Sequence, residues 1–261
     1  MIYKFCGKTD TGRARDNNED SIAVDEESNL AVLADGMGGY NAGEVASGMA
    51  TAFIKSELSR WLTEVGSVAR SREVRRAMEI CVDSANLAIF NAANNNVHYA
   101  GMGTTLVVAV FREDGLVLGH IGDSRCYRLR AGRLEQITRD HSLLQEQMDA
   151  GLITPEQAEH STIKNLVTRA LGVESGVLME VNEHAVELGD IYMLCSDGLS
   201  DMVNDATIAK IMLGESTLER QAQALVDAAN NHGGRDNISV LLAEVTDASE
   251  KRGLIARLLG K

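Results

Sequence analysis

Five consecutive apolar residues, Leu30-Ala31-Val32-Leu33-Ala34, run directly into Asp35-Gly36-Met37-Gly38-Gly39. Such a run reads as a strand buried on both faces, and the glycines behind it predict a turn immediately after the carboxylate. Asp35 is therefore expected at a strand end, rigidly held. The device recurs: Ile191-Tyr192-Met193-Leu194-Cys195-Ser196 runs into Asp197-Gly198, and Leu116-Val117-Leu118-Gly119-His120-Ile121 into Gly122-Asp123-Ser124-Arg125. A mirrored copy, Gly233-Gly234-Arg235-Asp236-Asn237, opens the last apolar stretch. A buried or half-buried carboxylate is costly unless paired or bound to a cation, so four in one repeated context point to a shared ligand, a divalent metal cluster.

With 261 residues and 44% hydrophobic content, the chain can bury a large core, and one domain is the simplest count. A net charge of -13 argues against nucleic acid or an anionic membrane as the main partner, because those surfaces reward clustered Lys and Arg. Cys6, Cys81, Cys126 and Cys195 are far apart with no Cys-x-x-Cys pair, which favours buried free thiols over disulfides or zinc. No apolar run approaches the roughly 20 residues needed to span a bilayer, and Met1-Ile2-Tyr3-Lys4 does not open a signal peptide. A cytoplasmic protein is expected.

In chain order, residues 2–7 read as a strand, 9–20 as a polar stretch ending Arg15-Asp16-Asn17-Asn18-Glu19-Asp20, and 21–24 as a strand again. Glu19 and Asp20 alone would read as a solvated turn, but the four strand-end aspartates make them metal candidates as well. Residues 42–62 (Val45, Met49, Ala52, Phe53) and 71–94 (Val74, Met78, Cys81, Val82, Ala85, Ile89) carry apolar side chains at helical spacing. They predict two helices on a sheet, with the Met and Phe stripe as core. Strands at 104–111, 116–122, 125–129 and 134–137, joined by tight turns, predict an antiparallel meander. Residues 141–170 interrupt it with a helical lobe, in which Thr154-Pro155-Glu156-Gln157 has the form of a capping box. Strands follow at 180–186 and 191–195, helices at 206–213 and 217–231, and a last strand at 237–245.

Six motifs in this order and spacing, Arg15-Asp16-Asn17-Asn18-Glu19-Asp20, Ala34-Asp35-Gly36-Met37-Gly38-Gly39, Gly103-Thr104-Thr105, Gly122-Asp123-Ser124-Arg125, Ser196-Asp197-Gly198-Leu199 and Asp236-Asn237, resemble one family. It is the PPM family of metal-dependent protein phosphatases, the type 2C Ser/Thr phosphatases, and in particular its compact bacterial members. The resemblance covers about residues 2–245. It implies an α+β fold, a four-layer α-β-β-α sandwich with two central antiparallel sheets flanked by helices, plus a helical flap at about 141–170. The phosphatase domain is then 1–246, and 247–261 is a C-terminal amphipathic tail with Leu254, Ile255, Leu258 and Leu259 on one helical face. The tail is expected to pack back on its own domain, with docking on a partner or membrane surface as the alternative.

The resemblance also implies site roles. Asp35 would bridge two Mn²⁺ or Mg²⁺ ions, assisted by the Gly36 carbonyl. Asp197 and Asp236 would hold one ion, and Glu19 and Asp20 would support the other. Asp123 with Asp197 would bind a third, weaker ion, which Asp201 would reach through water. Oxygen-only ligation suits these hard cations. Two ions roughly 4 Å apart lower the pKa of a shared water and clamp phosphoryl oxygens for in-line displacement. Arg15 matches the family's phosphate-binding arginine, whose planar fork gives two parallel hydrogen bonds, while Arg13 is left as a surface residue. Met37 stands where eukaryotic members carry a proposed general-acid histidine, and a thioether cannot donate that proton. His141 and His160, in the lobe, could meet substrate, but a structural role is the leading reading for both, since neither has a metal-ligand partner at usable spacing; His98, His120 and His184 read as structural or surface. His160-Ser161 departs from the His-Pro of many relatives.

The expected function is metal-dependent hydrolysis of phosphoserine and phosphothreonine on proteins, by a monomer that opposes a bacterial Ser/Thr kinase. The alternative is a catalytically silent phosphoprotein-binding regulator. A di-metal nuclease would need a basic track for its substrate's backbone, and the sequence has none.

Overall fold

The apolar runs assemble into two antiparallel sheets. The structure is a computed structural model that describes residues 1–38, 42–113, 115–154, 157–158 and 166–247. With strands numbered in chain order, the first sheet runs β1 (Ile2–Asp10), β11 (Ile238–Thr246), β10 (Ile191–Cys195), β7 (Arg125–Arg130) and β8 (Arg133–Gln136). The second runs β2 (Asp20–Asp25), β3 (Leu30–Met37), β5 (Leu106–Arg112), β6 (Gly115–Ile121) and β9 (Glu180–His184), with the short β4 (Gly103–Thr104) paired to β3.

Strand side chains alternate between faces, and here both faces are covered, which is why the runs are continuously apolar. Within β3, Ala31 and Leu33 point between the sheets, against Leu194, Leu241 and Ala243. Leu30, Val32 and Ala34 point the other way, onto helices α1 (Ala42–Val65) and α2 (Ser71–Asn95), where they meet Ala46, Ile54, Met78 and Val82. The outer face of the first sheet, with Met193, Cys195, Val240 and Leu242, is covered by Ile208, Met212, Leu225 and Ala229. Those come from α5 (Asp205–Gly214) and α6 (Leu218–Asn231). The order of layers is helices, sheet, sheet, helices. Between the sheets, the Phe111 ring packs 5.0 Å from Tyr3 and 5.4 Å from Tyr192, centroid to centroid, a tilted and an edge-on pairing favoured by the ring quadrupoles.

The expected meander is divided between the sheets. β5 and β6 pair in the second sheet, β7 and β8 in the first, and Gly122-Asp123-Ser124 carries the chain across. Gly122 has φ +99°, a left-handed backbone that glycine adopts without strain, so the chain leaves β6 at a sharp angle instead of folding back beside it. The turn expected directly behind Asp35 is also displaced: β3 continues to Met37 because Gly36 and Met37 pair with Thr104 and Gly103.

The lobe holds α3 (Leu143–Asp149), capped by the Ser142 hydroxyl, which accepts the Gln145 amide at 3.2 Å. The capping box forms: the Thr154 amide donates to Gln157 Oε1 at 2.8 Å and the Gln157 amide to Thr154 Oγ1 at 3.3 Å. The pair His160-Ser161 and the tail from 248 onward lie outside the described residues. The four cysteines are free, Cys81, Cys126 and Cys195 buried and Cys6 half-buried. Among the described residues no helix is long and apolar enough to cross a membrane.

Candidate metal centre

Every acidic motif lies where a strand of one sheet ends beside a strand of the other. In the β2–β3 register Asp20 is directly opposite Asp35. Asp197 follows β10 and begins the short helix α4 (Asp197–Ser200), while Asp236 stands two residues before the start of β11, the partner of β10. Asp123 sits in the sheet crossing. Around them lies a cavity of about 280 Å³ lined by Arg15, Glu19, Asp35, Gly36, Met37, Gly38, Thr105, Asp123, Val167, Asp197 and Asp236. Asp20 lies beneath it, 9% exposed.

The backbone of Asp35 and that of Glu19 are pinned by side chains from distant segments. The Asp35 amide donates to Thr105 Oγ1 at 3.0 Å, and its carbonyl accepts the Thr105 amide and the Thr104 hydroxyl, both at 2.9 Å. Thr105 Oγ1 in turn lies 2.7 Å from the Ser124 hydroxyl of the sheet crossing. The Glu19 amide donates to Asn237 Oδ1 at 2.7 Å, and Asn237 Nδ2 donates to the carbonyls of Thr11 and Asn17. The Glu19 carbonyl accepts from the Gly36 amide at 3.0 Å and the Ser47 hydroxyl at 2.6 Å. A Cβ at Gly36 would come within 2.1 Å of the Gly43 carbonyl oxygen, so only glycine lets the start of α1 approach β3 here. The Ser196 hydroxyl donates to Asp20 Oδ2 at 2.8 Å, while Asp20 Oδ1 is buried with no hydrogen-bond partner.

This arrangement is costly as bare protein. Burial, then the charges of Asp20, Asp197, Asp123 and Asp236, push the Asp35 carboxyl well above the usual carboxylate range. Asp197 is raised likewise by burial and then by Asp123, Asp201, Asp236 and Asp20. Burial pushes Asp20 up to about 6, and burial followed by Asp140 and Asp201 does the same to Asp123. Arg15 at the rim places Nη2 2.7 Å from Asp236 Oδ2, with its side chain 52% exposed. The neighbouring guanidinium, Arg125, is already bound bidentately by Asp140, Nη2 to Oδ2 at 2.7 Å. A set of crowded oxygen donors, one buried and orphaned, with too few side-chain cations to balance them, fits hard divalent cations.

Of the residues singled out from sequence, Arg15, Glu19, Asp35, Gly36, Asp123, Asp197 and Asp236 share the cavity wall and Asp20 lies just below. Asp201 is apart. It lines an adjoining groove of about 820 Å³ that also contains Asp123, Asp197, Asp140 and Asp205. His141 is buried at the root of the lobe, stacked on His120 with ring centroids 4.6 Å apart, and its Nε2 is 3.4 Å from Glu180. The tertiary fold thus supplies neighbours that sequence spacing did not. Thr105, Ser196 and Asn237 stand inside the six motifs, but their roles as clamps have no local sequence signal, because each acts on a residue far away in the chain.

The model of a family described as Protein phosphatase 2C matches residues 10–237. The serine/threonine phosphatase stp of Listeria innocua is 37% identical over 240 residues, covering 91% of this chain and 94% of its own. The crystal structure of the Mycobacterium tuberculosis serine/threonine phosphatase PstP/Ppp superposes with a TM-score of 0.87 at 36% identity, covering 95% of this chain and all (100%) of that one. The catalytic domain of PstP in complex with two manganese ions gives 0.80 at 38% identity, covering 94% and 99% of the two chains. With the layered sheets, the acid-lined cavity and these matches in agreement, the chain belongs to the protein phosphatase 2C family.

Proposed function

We propose that this chain hydrolyses phosphoserine and phosphothreonine monoesters on proteins, with two core Mn²⁺ or Mg²⁺ ions and a third, weaker one. The observation that carries the reading is the convergence of Asp35, Asp123, Asp197 and Asp236 on one cavity, with Glu19 at its wall and Asp20 beneath. Asp35 is assigned as the bridging ligand, with Asp197 and Asp236 on one core ion, and Glu19, Asp20 and the Gly36 carbonyl toward the other. Asp123 and Asp197 are assigned to the third ion, with Asp201 as outer support from the adjoining groove.

Bound there, the divalent ions supply a water of lowered pKa and neutralise charge on the phosphoryl oxygens. The remaining work belongs to the chain. Arg15 offers its guanidinium at the cavity rim, where an incoming phosphoryl group competes with Asp236 for the same donors. Thr105 and Asn237 hold the backbone of Asp35 and Glu19, and Ser196 holds the carboxylate of Asp20, so little reorganisation is needed when substrate arrives. Water attacks phosphorus and the bond to the seryl or threonyl oxygen breaks. Met37 lines the wall with a thioether that has no proton to give, so the proton of the leaving oxygen comes from another donor, water or a further group of the chain.

Residues 1–246 are taken as the phosphatase domain and 247–261 as its tail, in a cytoplasmic bacterial monomer opposing a Ser/Thr kinase. A silent phosphoprotein-binding regulator would have lost ligands, and all of these acids are present. The test is phosphate release from phosphothreonine and phosphotyrosine peptides with Mn²⁺ and with EDTA. Turnover of phosphothreonine that EDTA abolishes is expected; folded, Mn²⁺-loaded protein without turnover contradicts the reading.

A further inference from the structure

Where the chain leaves β8 for the lobe, His141 closes a ring of two hydrogen bonds with one residue, Gly122. The His141 amide donates to the Gly122 carbonyl at 2.9 Å, and the Gly122 amide donates to His141 Nδ1 at 3.2 Å. Both peptide groups of Gly122 are thus held by His141, at a position whose φ of +99° sets the direction in which the next residue, Asp123, departs. The returning end of the lobe is tied to the same point. The Thr168 amide donates to the His141 carbonyl at 2.8 Å, and Ser142 pairs with Val167, a residue of the cavity wall.

The ring chemistry fixes the tautomer. A backbone amide only donates, so Nδ1 of His141 is the acceptor for Gly122, and the neutral ring carries its proton on Nε2. That nitrogen faces Glu180 Oε2 and Arg169 Nη1, each 3.4 Å away, and of these two only the carboxylate can accept the proton. Burial, then His120 and Arg169, hold the ring neutral by pulling its pKa down to about 4. His120 is anchored in parallel, its Nε2 2.8 Å from the Arg139 carbonyl.

His120, His141 and Glu180 each offer a ligand atom within 4.8 Å of the others, the spacing of a possible cation site. The imidazole planes, however, are inclined by only 13° and stacked, so their in-plane lone pairs run side by side and do not converge on one ion. His141 Nε2 is also protonated in this arrangement. The cluster is built to hold a ring in place.

We propose that His141 is a positioning residue for the third cation: its Nδ1 and backbone amide clasp Gly122, aim the Asp123 carboxylate at that ion, and fasten the root of the lobe to the metal centre. This rests on the assignment of Asp123 as a ligand of that ion. A consequence is that occupancy of the weak site and the placement of the lobe's root are coupled through one backbone turn. The Asp140-Arg125 pair adjoining the turn is separate, because it contacts neither nitrogen of the His141 ring.

The test compares full-length wild type with His141→Leu, His141→Asn and Asp123→Asn. Asparagine places its Oδ1 acceptor near the position of Nδ1, whereas leucine keeps bulk without an acceptor. Two measurements are made: Mn²⁺ titration by calorimetry, which separates the two core ions from the weak one, and hydrogen exchange of the Gly122 amide by NMR. In His141→Leu the weak ion is expected to bind about 10- to 100-fold less tightly with both core ions retained, the range for losing an outer-shell partner. Its Gly122 amide exchanges faster, and His141→Asn recovers most of both properties. Unchanged weak-ion affinity in His141→Leu, or an Asn variant as impaired as the Leu variant, overturns the proposal. Should the leucine variant fail to fold, His141→Gln, whose amide reaches toward Nε2 instead, replaces it with the same expected loss and the same overturning result. Asp123→Asn separates the two readings. If it leaves the weak ion bound, the assignment of Asp123 is wrong; if it removes the ion while His141→Leu does not, the role of His141 is wrong.

Discussion

Asp20 and Asp35 are directly opposed residues of the β2–β3 pair, two carboxylates face to face in one antiparallel register. Like charges placed directly opposite on neighbouring strands destabilise a sheet. Here burial raises the pKa of both groups, and the charge of Asp20 raises that of Asp35 further. The strands accept this cost because the same register aims two oxygen donors at one place.

Stability of the cation-free protein should therefore fall as pH rises across the acid range. Asp20 and Asp123 titrate at about 6 in the folded chain, against about 4 for unfolded aspartate. Between those values the folded state holds protons that the unfolded state has lost, so unfolding becomes easier with rising pH. His141 has the opposite sign, since its folded pKa of about 4 lies below the ordinary value of 6.5 and its contribution is lost as pH falls between them. That contribution is common to metal-loaded and stripped protein and cancels in their difference. The gain in Tm on adding saturating Mn²⁺ to EDTA-treated protein should be larger near pH ~7.5 than near pH ~5. A gain independent of pH contradicts the assignment of buried acids as ligands.

Ser196→Ala should reveal how far the support of Asp20 matters. The hydroxyl donates to Asp20 Oδ2 and accepts the buried Ser239 amide at 3.0 Å. Removing it orphans that amide and frees the carboxylate, at an expected cost of about 1–3 kcal/mol in urea unfolding. Mn²⁺ affinity should weaken by about 10- to 100-fold in calorimetry. Wild-type values for both would mean that Ser196 merely fills space.

Arg15→Ala should act mainly on substrate, raising KM with a smaller loss in kcat, for a combined fall in kcat/KM of about tenfold or more. Arg15→Lys restores charge without the planar fork and should recover only part. Steady-state kinetics on a phosphothreonine peptide checks this. An unchanged KM in the alanine variant would leave Arg15 as nothing more than the partner of Asp236.

Asp123→Ala should lower turnover while leaving two Mn²⁺ ions bound per chain, and Asp201→Ala should do less, because Asp201 stands on the adjoining groove and not on the cavity wall. Metal stoichiometry measured beside turnover distinguishes them. A rate untouched by Asp123→Ala contradicts the third-ion role.

Much of this site was legible in the sequence because local pattern and tertiary role coincide there. An apolar run ending in Asp-Gly is both a strand signal and a carboxylate placed at that strand's end, as at Asp197 on the cavity wall, and helical spacing picked out Val74, Met78, Val82 and Ile89 of α2, all buried. The sheet crossing at Gly122 was not legible, since strand, turn and strand have the same pattern whether the two strands pair or part. Nor was the clasp between His141 and Gly122, or the grip of Thr105 on Asp35 across 70 residues. These depend on which distant segments the two sheets bring together, and no periodicity records that.

The most direct test of the shared metal centre is Asp35→Asn, which keeps the shape and hydrogen-bonding capacity of the side chain and removes its charge. Mn²⁺ binding by calorimetry and phosphate release from a phosphothreonine peptide are measured on the same preparation. Because Asp35 is assigned to both core ions, the variant should fold, lose tight binding of both together, and lose turnover. Two tight sites and wild-type turnover in Asp35→Asn would contradict the account.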